Sequence, residues 1–276
     1  MGVDPGMSAD SSAAAENLAG GYIFIPSLGF CSAGVVALPG MTIDRVSFAR
    51  ALPLPAGYEA VRGHLRRSSR PMAALCAMEL RSPASTGLEE FLAFNEGYLA
   101  QLGSWGLLID GDSPLARTNV VPAAAGPSAP SVVAFSYTRE ANEGGQAYVM
   151  SGVAELPTGS SYPQDIVHRG DTTSPALIAK AQQVVRELSA TVRSLGATWD
   201  NSTSVHLYTS HPIALGVQRE ALNTVGIVPT HGLTWHDAQP PVRELELEID
   251  LRRYGAQYTI GDARPADTSP ERGLYA

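Results

Sequence analysis

The residues best equipped for chemistry stand close together in the last third of the chain. In "RELELEID" (243–250), Glu244, Glu246, Glu248 and Asp250 alternate with Leu245, Leu247 and Ile249. Side chains alternate across a strand, so the pattern describes one apolar face and one row of carboxylates. Like charges this close raise the pKa of at least one member, which suits a carboxyl that must give and take a proton near neutrality. The plainer reading is a solvated edge strand whose charges discourage aggregation. Histidines lie just upstream, His206 with His211 and His231 with His236. A spacing of five sets each pair on opposite faces of a regular strand, so neither pair chelates one ion. His231 reads equally as an acid–base group and as a satisfied structural histidine. In "ARTNVV", Arg117 and Asn119 share one strand face. A guanidinium matches a carboxylate through two parallel hydrogen bonds, whereas a surface arginine paired with an acid is the plainer alternative.

Other chemistries find no support. The His-x-Glu with Pro-Cys-x-x-Cys of zinc deaminases is missing, as are the Gly-x-Ser-x-Gly elbow, the phosphate-binding loop and the dinucleotide glycine fingerprint. Cys31 and Cys76 are too few for a disulfide framework or a cysteine metal site, and Cys76 reads as core packing. No metal and no cofactor is expected.

The elements that position these residues belong to a chain of 276 residues, 44% hydrophobic and 17% charged, with a net charge of −8. Such a chain can bury a large core. No apolar run approaches the roughly 20 residues that span a membrane. The first residues lack a basic head followed by an apolar core, so a secretory leader is not expected and a cytoplasmic location is. The acidic balance argues against nucleic acid, and the basic "RGHLRRSSR" (62–70) reads as a solvated helix face. A local arginine can still hold a small anionic substrate.

Helices are expected near 57–69, over "TGLEEFLAFNEGYLAQLG" with Leu88, Phe91, Leu92, Tyr98, Leu99 and Leu102 buried, and from Ser174 to Gly196. A weaker one covers 214–226. Strands are expected at 22–26, 34–38, 72–80, 116–121, 131–137, 147–154, 203–209, 231–236 and 243–251. The second half repeats the element order of the first, giving an α+β fold of two copies of about 120 residues. The expected division is a flexible tail (1–20), an N-terminal domain (21–138), a C-terminal domain (139–262) and a second tail (263–276).

This module resembles the YjgF/Rid family. "AYVMSGVAELPTG", "LGATWDNSTSVHLYTS", "EEFLAFNEGYLAQLG" and "PLARTNVV" carry the likeness over nearly all of 20–260. "RALPLPAGYEAVRGHLRRSSRPMAALCAMELRSP", with "AFSYT" and "LELEIDLRRY", is similar to a tandem subgroup of 2-aminomuconate or 2-amino-5-chloromuconate deaminases. The resemblance implies two chorismate-mutase-like domains, each a mixed sheet with helices on one face, the sheets packed inward. It also implies a trimer or a multiple of three, and cofactor-free hydrolytic release of ammonia from an enamine or imine dicarboxylate. In the family an arginine grips the ligand carboxylate and a glutamate 15 positions later handles water or a proton. Arg117 matches the arginine, but Val132 stands where the glutamate would be. In the second half His231 takes the arginine position and Glu246 falls in register. The expected site is therefore Arg117 with Asn119 for binding, and Glu246 with His231 for proton transfer. A chorismatase-like hydrolase of a vinyl ether and a non-catalytic ligand-binding module are the alternatives.

Overall fold

The computed structural model describes residues 13–141 and 146–261, so the expected tail at 263–276 lies outside the described residues. In chain order the first half forms β1 (Ala15–Asn17), β2 (Tyr22–Pro26), β3 (Ser32–Ala37), β4 (Met41–Pro53), α1 (Leu54–Arg67), β5 (Leu75–Arg81), α2 (Leu88–Ser104), β6 (Ala116–Pro122) and β7 (Ser131–Glu140). The second forms β8 (Tyr148–Met150), β9 (Val153–Ala154), α3 (Ser174–Ser194), β10 (Ser204–Tyr208), β11 (Leu233–His236), β12 (Ala238–Gln239), β13 (Glu248–Arg253) and β14 (Ala256–Ile260). Between β10 and β11, residues 214–225 coil through short α, π and 3-10 turns and stop at Gly226, whose φ of 72° suits glycine.

Two mixed sheets result. One runs β1-β2-β3-β8-β13-β10-β11, with β9 also pairing β13; the other runs β12-β6-β5-β7-β4-β14. Within them, β4-β7-β5-β6 and β8-β13-β10-β11 have the same order and the same senses of pairing: antiparallel, antiparallel, parallel. Each sheet also takes strands from the other half of the chain. β1 to β3 extend the sheet of the second half, while β12 and β14 border the sheet of the first. The expected boundary at 138/139 falls in the last residues of β7, yet neither sheet is built from one half alone. Ala15–Asn17, expected within the flexible tail, pair with β2 as an edge strand.

Three cores define the layering. Apolar residues of α3, repeating at helical spacing through Leu177, Ala181, Val184, Leu188 and Val192, pack on Tyr148, Leu207, Ile249 and Leu251 of the first sheet. Val61 and Leu65 of α1, with Tyr98 and Leu102 of α2, pack on Leu80 and Phe135 of the second. Tyr22, Phe24, Val35, Ile43, Cys76, Ala116 and Val149 fill the space between the sheets. The helices therefore lie outside and the sheets face inward. On α2 the expected buried stripe is narrower than the sequence suggested, since Leu88 and Leu92 are exposed while Asn95 is buried.

Candidate functional site

The carboxylate row does not form one strand face. Glu244 has a positive φ of 67° and pairs with Arg169 on the surface. The ladder begins only at Glu248. The reason lies in Glu155, whose buried carboxylate accepts the backbone N–H of Glu246 (2.6 Å) and of Leu247 (3.2 Å) and also faces the buried Lys180 at 3.2 Å. Those backbone groups are thus bound to a side chain instead of a neighbouring strand. Glu246 is half-buried and meets His211 Nε2 at 2.8 Å. Glu248 and Asp250 turn inward and are buried.

Arg117 is 6% exposed, and among the described residues no carboxylate pairs with it. Its guanidinium lies 4.8 Å from the Phe30 ring centre and 4.9 Å from that of Tyr98, with Phe91 and Phe94 at about 6 Å. Ring faces soften the loss of water around a cation. They supply no hydrogen-bond acceptor of carboxylate strength, and Nη1 has no partner. An uncompensated buried charge is costly, and a guanidinium so placed suits an anionic partner. Tyr98 Oη, on the ring against this guanidinium, is also buried without a partner, as are Asn95 on the same helix, Asn119 Nδ2 two residues along β6, and Ser32 Oγ. Native interiors satisfy nearly all such groups, so each of these is available to a further partner.

The backbone around Arg117 is pinned. Its N–H donates to Ser151 Oγ (2.9 Å), whose hydroxyl donates to the Ser32 carbonyl (2.5 Å). The Gly152 N–H donates to the Arg117 carbonyl at 3.0 Å. Gly152 also leaves room for Glu248, since a Cβ there would overlap the Glu248 carboxyl. The segment from Ser151 to Glu155 thereby sets both β6, which carries Arg117, and the start of β13, which carries Glu248.

Burial pushes the Glu248 carboxyl up to about 8, and the neighbouring Asp250 adds to the rise; Arg117, Arg81 and the Asn119 backbone N–H act against it. Glu248 therefore holds its proton well above the ordinary carboxylate range. Burial also raises the Cys31 thiol, so it stays protonated beside Arg117 and Glu248.

Two residues further along β13 the situation reverses. Arg252 binds Asp250 (2.6 Å) and Glu79 (2.8 Å), Arg45 binds Glu79, and Thr118 and Tyr208 donate to Asp250 at 2.7 and 3.1 Å. Burial alone would raise Asp250, but Arg252 outweighs it and holds the carboxyl below its ordinary value. The histidines also fall elsewhere than their sequence spacing suggested. His206 and His236 meet across the parallel β10–β11 pair, Nδ1 to Nε2 at 3.0 Å, with His236 stacked on Tyr208. Burial brings them down to about 3 and about 4, so both are neutral.

Of the four expected site residues, Arg117 and Asn119 lie together, and Asn119 Oδ1 accepts from Ser82. Glu246 sits with His211, apart from them. His231 is exposed in the turn before β11. The carboxyl beside Arg117 is Glu248. Asn95 and Tyr98 were legible as polar groups on an apolar helical stripe; Phe30 and Cys31, in the β2–β3 loop, carried no signal. Among the described residues no three His, Cys, Asp or Glu are grouped to hold a metal, and no helix is long and apolar enough to cross a membrane.

Residues 14–258 match the profile of a family described as 2-aminomuconate deaminase CnbZ. A 2-amino-5-chloromuconate deaminase from Comamonas testosteroni is 38% identical over 237 residues, 84% of this chain and 93% of that protein. A crystal structure of a chorismatase aligns over 80% of this chain and 77% of its own at 14% identity, with a TM-score of 0.47.

Proposed function

Since the chain belongs to the 2-aminomuconate deaminase CnbZ family, we propose that it hydrolyses the C–N bond of a 2-aminomuconate at the cluster around Arg117 and Glu248. The observation that carries this reading is a buried guanidinium without a counter-ion beside a carboxyl that is neutral at pH 7.

The reaction needs a proton at carbon, a water and a departing amine. Arg117 receives the substrate carboxylate through paired N–H donors, which orients the conjugated chain against Phe30 and Tyr98. The incoming carboxylate offsets the Arg117 charge that otherwise lowers Glu248, so binding itself strengthens the acid form of Glu248. Glu248 then delivers its proton to the enamine carbon and gives an iminium. The resulting carboxylate takes a proton from water as the oxygen attacks the iminium carbon. Collapse of the carbinolamine, with a proton returned to nitrogen, releases ammonia and leaves the 2-oxo acid or its 2-hydroxymuconate tautomer. Asn119 Nδ2, Asn95 and Tyr98 Oη are free to hold the amine and the water. No metal or organic cofactor takes part in this scheme. Two Rid-like units in each chain and a homotrimer, or a multiple of three, belong to the same reading, supported by the family resemblance and the repeated strand order.

The test is ammonia release from freshly generated 2-aminomuconate. Glu248→Gln should lower kcat by about 10²–10⁴-fold, the range for removing a positioned acid–base group. Arg117→Ala should lower kcat/KM strongly while the fold persists. Full activity in Glu248→Gln would overturn the assignment.

A further inference from the structure

Lys180 and Glu155 are both fully buried, and they face each other at 3.2 Å between α3 and the end of β9. Lys180 lies on the helix face of Leu177, Ala181 and Val184, at the edge of an otherwise apolar core. An ion pair in such a place contributes little to stability, because apolar side chains of the same volume commonly serve as well or better. Its use lies in what the carboxylate holds.

That is the backbone just ahead of Glu248. In the antiparallel β9–β13 pair, Ala154 stands opposite Glu248 and Val153 opposite Ile249. Glu155 comes next. Its Oε1 accepts from the Glu246 N–H and from Lys180 Nζ, and its Oε2 accepts from the Leu247 N–H. At its other end the same segment holds Arg117, through Ser151 Oγ and the Gly152 N–H. Ser151–Glu155 thus connects the backbone that carries the guanidinium to the backbone that carries the carboxyl, and Lys180 ties its far end to α3.

We propose that Glu155 and Lys180 are positioning residues for the reaction: anchored on α3, they set where the Glu248 carboxyl stands relative to the Arg117 guanidinium. This rests on the deaminase reading above, which makes Glu248 the proton donor. A misplacement of about 1 Å between reacting groups is enough to slow a step about 100-fold.

The test is the double substitution Glu155→Gln with Lys180→Met. It removes both charges and keeps both shapes, so the protein should stay folded. An amide has one acceptor oxygen, so one of the two backbone N–H groups loses its partner. With freshly generated 2-aminomuconate, kcat should fall about 10- to 100-fold while KM stays within about threefold. Muconate, which has no amino group to lose, should bind with wild-type affinity, because Ser151 and Gly152 still hold Arg117. Carbon-13 NMR of the Glu248 carboxyl, assigned by its loss in Glu248→Gln, should show a displaced titration midpoint, which lost stability alone does not produce. Lys180→Met by itself, which leaves the grip without its anchor, carries the same test if the double variant does not fold. Wild-type kcat, a muconate affinity that falls as far as kcat, or an unmoved Glu248 midpoint overturns the positioning role. Where Glu248→Gln is itself fully active, the deaminase reading of Glu248 falls and the NMR midpoint alone decides the positioning.

Discussion

Glu248 and Asp250 lie two residues apart on the same face of β13, and their surroundings are opposite. Asp250 is enclosed by Arg252, Thr118 and Tyr208, and Arg252 passes the pairing on to Glu79 and Arg45. Every charge in that group has a partner. At Glu248 the carboxyl is raised well above its ordinary value, the guanidinium of Arg117 has no counter-ion among the described residues, and Ser32, Asn95, Tyr98 and Asn119 keep unpartnered atoms. A fully paired buried network fixes the seam between the two sheets. An unpaired one is tolerated only where something else completes it. The same β-strand thus carries a fully paired cluster and an unpaired one.

The largest expected contrast is in stability. Arg252→Met leaves the buried Asp250 without a cation and Glu79 with Arg45 alone, and should cost about 3–5 kcal/mol in denaturant unfolding. At about pH 4, where the Glu248 carboxyl is neutral both folded and unfolded, Glu248→Gln replaces it with a neutral amide of the same shape and should change stability by less than about 1 kcal/mol. If Arg252→Met were mild, or Glu248→Gln equally damaging, the distinction between the two clusters would collapse.

How far the sequence reached follows the same division. Helix α3 was legible because its apolar residues meet one sheet at one period, and the repeated element order was legible in outline. Strand β4 was not, although it is 13 residues long. Asp44 and Arg45 interrupt its apolar pattern, and only the fold reveals that Arg139 and Glu79 pair with them. For the site, alternation placed Arg117 and Asn119 on one face correctly. Alternation also implied that 243–251 was one continuous strand, and the Glu155 carboxylate prevents that by taking the N–H groups of Glu246 and Leu247. Which carboxyl of the row is buried depends on the edge of β6, more than a hundred residues earlier in the chain.

A smaller effect separates the clusters by pH. The Glu248 carboxyl is raised to about 8 from an ordinary 4.5. Its contribution to stability is full below the unfolded value and is lost as pH rises through about 8. His206 and His236 are depressed to about 3 and about 4, so their contribution is present above about 6.5 and is lost as pH falls through those values. The fall in melting temperature between about pH 4.5 and 8 should therefore belong to the Arg117 cluster, and the fall on acidification below about 6.5 to the histidine pair. Calorimetry across this range should find the first reduced in Glu248→Gln and the second unchanged. A first fall unchanged in Glu248→Gln would mean that Glu248 titrates at its ordinary value in the folded protein.

The smallest effect expected is at Glu246. Its side chain pairs with His211 at 24% and 27% exposure, where water screens the interaction. What the fold takes from residue 246 is its backbone N–H, held by Glu155, and its carbonyl, which accepts from Thr209 Oγ1 at 2.8 Å. Neither depends on the side chain. Glu246→Gln keeps both and should alter kcat/KM by no more than about threefold, within the range of a surface substitution. The comparison with Glu248→Gln is the decisive one, because the two residues are neighbours in the same alternating row and the substitution is the same. A loss of 100-fold at Glu246 with little change at Glu248 would move the proton-transfer role to the His211–Glu246 pair. The cluster around Arg117 would then bind the substrate while the chemistry is done from its rim.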